Sequence, residues 1–244
     1  MDARTRTAPP LSPEAGAQET RRARRALAPL RHPALWVAAG IAAMVLVLVT
    51  GLVLDGHPSW SAAELAVDEW TGVGSPALIG VVALVFDITV STAAGVVLLL
   101  VAALMVYLMA DGATAVVFVG GVCLAWLAST AVSLAVNRPL LESSAGHTVV
   151  SPGALSYPST PTAFGTATVI GLLLAARGSN WRWLVALAGG IALAVSLWAR
   201  LYLGAGYPTD VVAGVLVGGA VAAIYYPVML DLVLPAMRRR NPSR

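Results

Sequence analysis

Long apolar runs separated by short polar segments make up most of the chain from about residue 33 onward. The run from Pro76 to Ala110 contains one charged residue, Asp87. A single helix over this run would be about 52 Å long, well beyond the roughly 30 Å hydrocarbon core of a bilayer. The run is therefore predicted to break near "DITVST", residues 87–92, giving a short helix followed by a membrane span.

The same pattern predicts six membrane spans. Their approximate ranges are 33–54, 89–110, 113–136, 161–176, 183–203 and 208–233. Backbone polar groups inside a bilayer must be hydrogen-bonded within the protein, so apolar runs of this kind predict α-helices. The expected fold is an all-α, polytopic membrane bundle, with a membrane domain over residues 32–235.

The segments outside these runs are polar. Residues 1–31 are rich in Arg, Ala and Pro without an apolar period, which is typical of a disordered tail. Residues 236–244 form a second basic tail. The stretch "DGHPSWSAAELAVDEWTGVGS", residues 55–75, carries Trp60 and Trp70 and is predicted to lie at the membrane interface as a short helix.

Composition supports the membrane assignment and excludes several function classes. Of the 244 residues, 58% are hydrophobic and 11% are charged, whereas roughly a quarter are charged in soluble domains. The single cysteine, Cys123, excludes an internal disulfide and a cysteine-based metal site. A net charge of +3 does not indicate a nucleic-acid binder, and the chain has no nucleotide-binding loop or metal cluster, so no cofactor is expected.

The distribution of arginine predicts the orientation. With six spans, the N-terminal tail, the loop near Arg177 and Arg182, and the C-terminal tail share one face, and they hold 13 of the 15 basic residues. The positive-inside rule makes that face cytoplasmic, so both termini are expected there. The chain lacks lysine and is rich in Ala, Val and Leu, which indicates a GC-rich bacterial genome and hence a bacterial cytoplasmic membrane.

Arg138 and Arg200 are the two exceptions to this charge rule, each at the outer end of a span. Each has a simple interpretation, because an arginine at a span end can extend its charge to the headgroups. Ser159 can start a helix as a cap, and Asp210 can complement the dipole of a helix that begins at "YPTD". Since all four groups fall on one face, however, they also suit a phosphate cradle of two guanidinium groups, a hydroxyl and helix N-terminal amides.

Three fragments carrying these residues resemble the type-2 phosphatidic acid phosphatases, part of the vanadium haloperoxidase superfamily. The signature of that family is Lys-x6-Arg-Pro, then Pro-Ser-Gly-His, then Ser-Arg-x5-His-x3-Asp. Here "AVSLAVNRP" aligns through Arg138, "PSTP" through Ser159, and "ARLYLGAGYPTD" through Arg200 and Asp210. The resemblance covers about residues 33–233 and implies a six-helix membrane fold with a phosphate site at the outer ends of the spans.

The chain departs from the signature at the positions that carry the chemistry. The family's lysine, its two histidines and two smaller residues are replaced by Ala131, Pro161, Gly206, Thr160 and Ala199. In the family one histidine attacks phosphorus, the aspartate orients its ring, and the other histidine protonates the leaving alcohol. An imidazole titrates near neutrality and is a competent nucleophile, whereas glycine and proline offer neither property. The resemblance therefore implies a phosphate cradle, with Asp210 as a remnant, that lacks its catalyst.

Two hypotheses follow. In the first, the chain is a pseudoenzyme that binds a lipid phosphate or polyprenyl phosphate headgroup, or serves as partner to another envelope protein. In the second, it is an active lipid-phosphate phosphatase or phosphotransferase that uses His147 or Glu142 of the outer loop. Asp87 is a possible partner for Arg138 or Arg200. A transporter is disfavoured because the arginines lie at the outer mouth and no paired broken helices occur in the two halves.

Overall fold

The structure, a computed structural model, describes residues 32–57, 59–64, 77–89, 92–140, 155–177 and 179–233. The expectations for the two tails, 1–31 and 236–244, and for Trp70 lie outside these ranges. The helices are α1 Pro33–Asp55, α2 Ala77–Thr89, α3 Thr92–Met109, α4 Gly112–Val136, α5 Thr160–Ala175, α6 Arg182–Tyr202 and α7 Pro208–Val228. Residues 59–64 are also helical, and Met229–Val233 continue α7 as a π-helical turn.

Within the described ranges the fold is all-helical, as predicted. In these ranges Pro139 and Leu155 form an isolated antiparallel β-bridge, and no strand is formed there. The apolar run from Pro76 to Ala110 breaks within the predicted stretch, residues 87–92. Helix α2 ends at Thr89 and α3 begins at Thr92.

Four helices of the described residues are long and apolar enough to cross a membrane: α1, α4, α6 and α7. The apolar helices Ala94–Met109 and Thr160–Ala175 are shorter. Large apolar side chains such as Leu46, Leu104 and Ile191 are exposed on the surface of the bundle, as expected where a protein faces lipid. The chain is thus a helical membrane protein, whereas the count of six spans and the cytoplasmic position of the termini remain predictions.

Helix α7 lies at the centre of the bundle and packs against α1, α4 and α5. Its Gly214 and Gly218 allow the close approach of α5. A Cβ atom on Gly214 would lie 2.5 Å from the Ser159 carbonyl oxygen, and one on Gly218 would lie 2.6 Å from that of Ala163. The G-x-x-x-G pattern in α7 is therefore a packing motif, as such patterns generally are in membrane helices.

The site lies where three helix ends meet. Helix α4 ends at Asn137, whose backbone adopts the left-handed conformation (φ 58°) that asparagine tolerates better than most residues. Helix α5 begins after Ser159 and α7 begins at Pro208, whose fixed φ suits a first helical position. We call this part of the bundle the site end; it also receives the carboxyl ends of α1 and α6.

Candidate functional site

Arg138 is the central residue of the site end, and its side chain is 1% exposed. Its five N–H donors are directed at protein acceptors. Nε lies 3.2 Å and Nη2 2.8 Å from Ser61 Oγ, and Nη2 also donates to Glu64 Oε2 at 2.7 Å. Nη1 donates to Thr209 Oγ1 at 3.1 Å and to Asp210 Oδ1 at 2.8 Å. In this conformation the guanidinium is thus bound entirely by side chains of the protein.

The aromatic ring of Tyr207 supports the same guanidinium from one face. The Arg138 Cζ atom lies 4.5 Å from the ring centroid, and Tyr207 is fully buried. A desolvated cation over an aromatic face gains about 2 kcal/mol. Arg138 is therefore fixed in position by carboxylates, hydroxyls and a ring together.

Asp210 is fully buried in the first turn of α7. Its Oδ1 accepts from Arg138, and its Oδ2 accepts from the backbone N–H of Tyr207 at 3.0 Å. The carboxylate thus caps the helix and neutralises the arginine at once. The contact between Asp210 and Arg138 is a buried ion pair.

Glu64 is a member of the site that the sequence pattern did not reveal. It lies in the 59–64 segment, part of the 55–75 stretch predicted to lie at the membrane interface, yet it is 8% exposed. Its Oε1 accepts from the backbone N–H of Thr209 at 3.1 Å, while Oε2 accepts from the Thr209 hydroxyl at 3.0 Å and from Arg138. The sequence offers one indication of this role: Ser61 and Glu64 stand three residues apart and therefore share one face of a helix.

Arg200 lies near the end of α6 and turns toward the loop that leads into α7. Its Nη2 donates to the carbonyl oxygen of Ala205. The loop turns at Gly204, whose φ of 62° is readily adopted by glycine. A Cβ atom on Gly206 would lie 3.7 Å from Arg200 Nη2, which is an ordinary contact distance. The guanidinium therefore lies beside Gly206, the position that the signature alignment assigns to a histidine.

Both arginines thus contact one segment, residues 205–210. Arg200 contacts its first half at Ala205, and Arg138 contacts its second half at Tyr207, Thr209 and Asp210.

Ser159 joins the same region through its backbone. Its N–H donates to the carbonyl oxygen of Asp210 at 2.9 Å, and its buried hydroxyl shares a 2.8 Å hydrogen bond with the hydroxyl of Thr162. The residue occupies the N-cap position of α5 but makes no side-chain capping bond there. The start of α5 is therefore held directly against the start of α7.

The substituted signature positions lie in different surroundings. Ala131 is exposed on α4, about two turns before Arg138. Pro161 is half-buried in the first turn of α5, beside Thr160, whose hydroxyl bonds that of Ser129 at 3.1 Å. His147 and Glu142 lie in residues 141–154, outside the described part of the chain, as does the side chain of Asp87. Their predicted roles stay predictions.

The loop before α5 is tied into the bundle by Tyr157. Its hydroxyl donates to the carbonyl oxygen of Val47 in α1 at 2.6 Å. Burial raises the pKa of the Tyr157 hydroxyl to about 12; the Asp210 carboxylate adds to this rise and Arg138 opposes it. The hydroxyl therefore stays protonated and serves as a donor at all ordinary pH values.

The charges at the site end are largely compensated internally. Glu64 and Asp210 surround Arg138, and buried ion pairs of this kind are costly to break from either side. The donors that suit a phosphate are nevertheless assembled there: a guanidinium, a hydroxyl on Thr209 and an amide at the start of α7. Thr209 is half-buried, so the cluster reaches the surface at this point.

The helical membrane bundle is similar in fold to a membrane lipid phosphatase. A PAP2 superfamily model matches residues 114–233. The fold is similar to the crystal structure of a transmembrane PAP2-type phosphatidylglycerolphosphate phosphatase from Bacillus subtilis, with a TM-score of 0.61 and 12% sequence identity. That match covers 78% of this chain and 93% of the other. No curated protein sequence matches the chain. Over residues 114–233 the chain is thus similar to the PAP2 superfamily, and its fold is that of a transmembrane PAP2-type protein.

Proposed function

We propose that the chain is a non-hydrolytic member of the PAP2 superfamily that binds the phosphate or pyrophosphate headgroup of a lipid. In this proposal it is a bacterial inner-membrane protein with its site on the extracytoplasmic face. The observation that carries the proposal is the position of Gly206. Its Cβ position lies 3.7 Å from Arg200 Nη2, and the segment that carries it leads into the buried Arg138–Asp210 pair, so a guanidinium adjoins a residue that supplies no imidazole.

The chemistry supports binding without turnover. The family reaction needs an imidazole to attack phosphorus and another to protonate the leaving group. Gly206 and Pro161 supply neither, and groups that act as a catalytic unit lose activity together when one is removed. Guanidinium groups and helix N-terminal amides bind phosphate oxygens without taking part in bond cleavage.

The proposal is tested on the full chain purified in detergent micelles. Phosphate release is measured from phosphatidic acid and from a polyprenyl pyrophosphate, and binding is measured with dioctanoyl phosphatidic acid. We expect no release above background and saturable binding that weakens at least about tenfold in Arg200→Ala, since hydrogen bonds to charged groups contribute about 1.5–3 kcal/mol.

Arg182→Ala is the matched control. Arg182 lies on the same helix as Arg200 but at its opposite end, where it is exposed. This variant should bind like the wild-type chain. Turnover that disappears in Arg200→Ala would overturn the proposal, and turnover that instead depends on His147 or Glu142 would support the alternative of an active phosphatase.

A further inference from the structure

Glu64 is bound as a phosphate group would be. Its two carboxylate oxygens accept from a guanidinium N–H, a hydroxyl and the backbone N–H of Thr209 at the start of α7, at distances of 2.7, 3.0 and 3.1 Å. A helix N-terminus with an adjacent guanidinium is a recurrent binding arrangement for phosphate oxygens. The carboxylate therefore satisfies the donors that a headgroup would require.

The segment that carries Glu64 is attached to the bundle mainly through polar contacts. Within residues 59–64, Ser61 and Glu64 are buried, while the other four residues, including Trp60, are exposed. Both buried side chains bind Arg138. Because an attachment of this kind buries little apolar surface, its local opening loses mainly the ion pair and hydrogen bonds to Arg138, which an incoming phosphate group would replace.

We propose that Glu64 is an internal ligand of the phosphate cradle, so that the 59–64 segment occupies the site and a lipid phosphate binds by displacing it. This inference rests on the proposed function, since it concerns the regulation of the same site. An anion that displaces Glu64 accepts hydrogen bonds from Arg138, from the Thr209 hydroxyl and from the Thr209 amide. Asp210 remains on Arg138 and keeps the guanidinium in place.

The inference predicts a gain of affinity when the internal ligand is removed. A site that is competent for only a fraction of the time binds with an affinity reduced by that fraction, so Glu64→Ala should lower the Kd for dioctanoyl phosphatidic acid at least about tenfold. Glu64→Gln should give a smaller gain. Inorganic phosphate is titrated in parallel, and tighter binding of the lipid than of the free ion identifies a lipid headgroup as the occupant.

Asp55→Ala is the matched control, because Asp55 is an exposed carboxylate at the same end of the bundle. It should leave the Kd unchanged. A role of Glu64 that is merely structural predicts lower thermal stability without any gain in affinity, which separates the two interpretations.

A second measurement uses the wild-type chain and needs no substitution. Hydrogen exchange in residues 59–64 should rise when dioctanoyl phosphatidic acid saturates the site, because the segment is displaced; added protection there would overturn the inference. Equal affinities of wild-type and Glu64→Ala, or weaker binding by the variant, would overturn it as well and leave the proposed function intact. Absence of binding by both folded proteins would overturn the proposed function, and the inference with it.

Discussion

Arg138 and Asp210 form a buried ion pair, with 2.8 Å between Nη1 and Oδ1, although 72 residues separate them in the chain. The pair joins the end of α4 to the start of α7. Removing one partner of a buried ion pair costs about 3–5 kcal/mol in other proteins. The pair is therefore expected to be a main determinant of the stability of the site end.

Asp210→Ala should strongly destabilise the protein for this reason. The substitution also leaves the Tyr207 N–H without its acceptor, which weakens the start of α7. We expect a loss of roughly 3 kcal/mol or more in unfolding free energy, measured as a lower thermal midpoint in detergent. Asp210→Asn keeps one acceptor oxygen and the shape of the side chain, so it should lose less unfolding free energy.

Asp55→Ala again provides the comparison, since it removes an exposed carboxylate and should change stability by about 0.5 kcal/mol or less. Equal midpoints for Asp210→Ala and Asp55→Ala would contradict the importance of the pair.

The helices were predictable because their signal is local. The length of an apolar run sets the number of residues in a span, which also placed the break between α2 and α3. The beginning of α7 followed from "YPTD", where Pro208 and Asp210 both favour a helix start.

The pairing of charges was less predictable. The sequence pattern gathered Arg138, Arg200 and Asp210 at one end of the bundle but did not show which arginine the carboxylate meets, because that depends on how α4, α6 and α7 cross. Glu64 was missed for a related reason. It stands in a polar stretch outside the apolar runs, where composition alone favours a solvated surface helix, and its burial arises from a partner 74 residues away.

Restoring the family's residues should restore catalysis if the cradle is intact. Gly206→His is sterically feasible at Cβ, since the nearest atom, Arg200 Nη2, would lie 3.7 Å away. The triple variant Ala131→Lys, Pro161→His, Gly206→His is expected to release phosphate from phosphatidic acid. A positioned acid or base typically accelerates a reaction by about 10²–10⁴-fold. Turnover should rise further when Glu64→Ala is added, because the headgroup then has no internal competitor.

The control for this gain replaces Gly206→His by Gly206→Gln and keeps the other two substitutions. Glutamine has a similar size but is not a nucleophile, so this variant should remain inactive. A folded triple variant with Glu64→Ala that releases no phosphate would show that more than the catalyst is missing.

Tyr157→Phe should remove the hydrogen bond that ties the 155–159 loop to α1. The hydroxyl lies 2.6 Å from the Val47 carbonyl oxygen, and the expected loss of stability is about 1 kcal/mol. Tyr107→Phe, at an exposed position on α3, should have little effect.

The contribution of Tyr157 should also depend on pH. The pKa of its hydroxyl is about 12 in the folded protein, compared with an ordinary value of 10, so the protonated form is favoured by folding. The stabilisation is therefore complete below pH 10 and falls as the pH rises toward 12. A difference between wild-type and Tyr157→Phe midpoints that grows over this range would contradict the assignment.

Gly218→Ala should destabilise the centre of the bundle, whereas Gly219→Ala should not. A Cβ atom on Gly218 would lie 2.6 Å from the carbonyl oxygen of Ala163 and 2.8 Å from Thr166 Cβ, so α7 would have to move away from α5. Overpacking of this kind costs about 1–3 kcal/mol. The adjacent Gly219 has no atom within 4 Å of the corresponding Cβ position and shares the same helix, which makes it a matched control. Thermal midpoints of the two variants in detergent measure the difference, and equal values would show that α5 and α7 do not pack this closely in the folded protein.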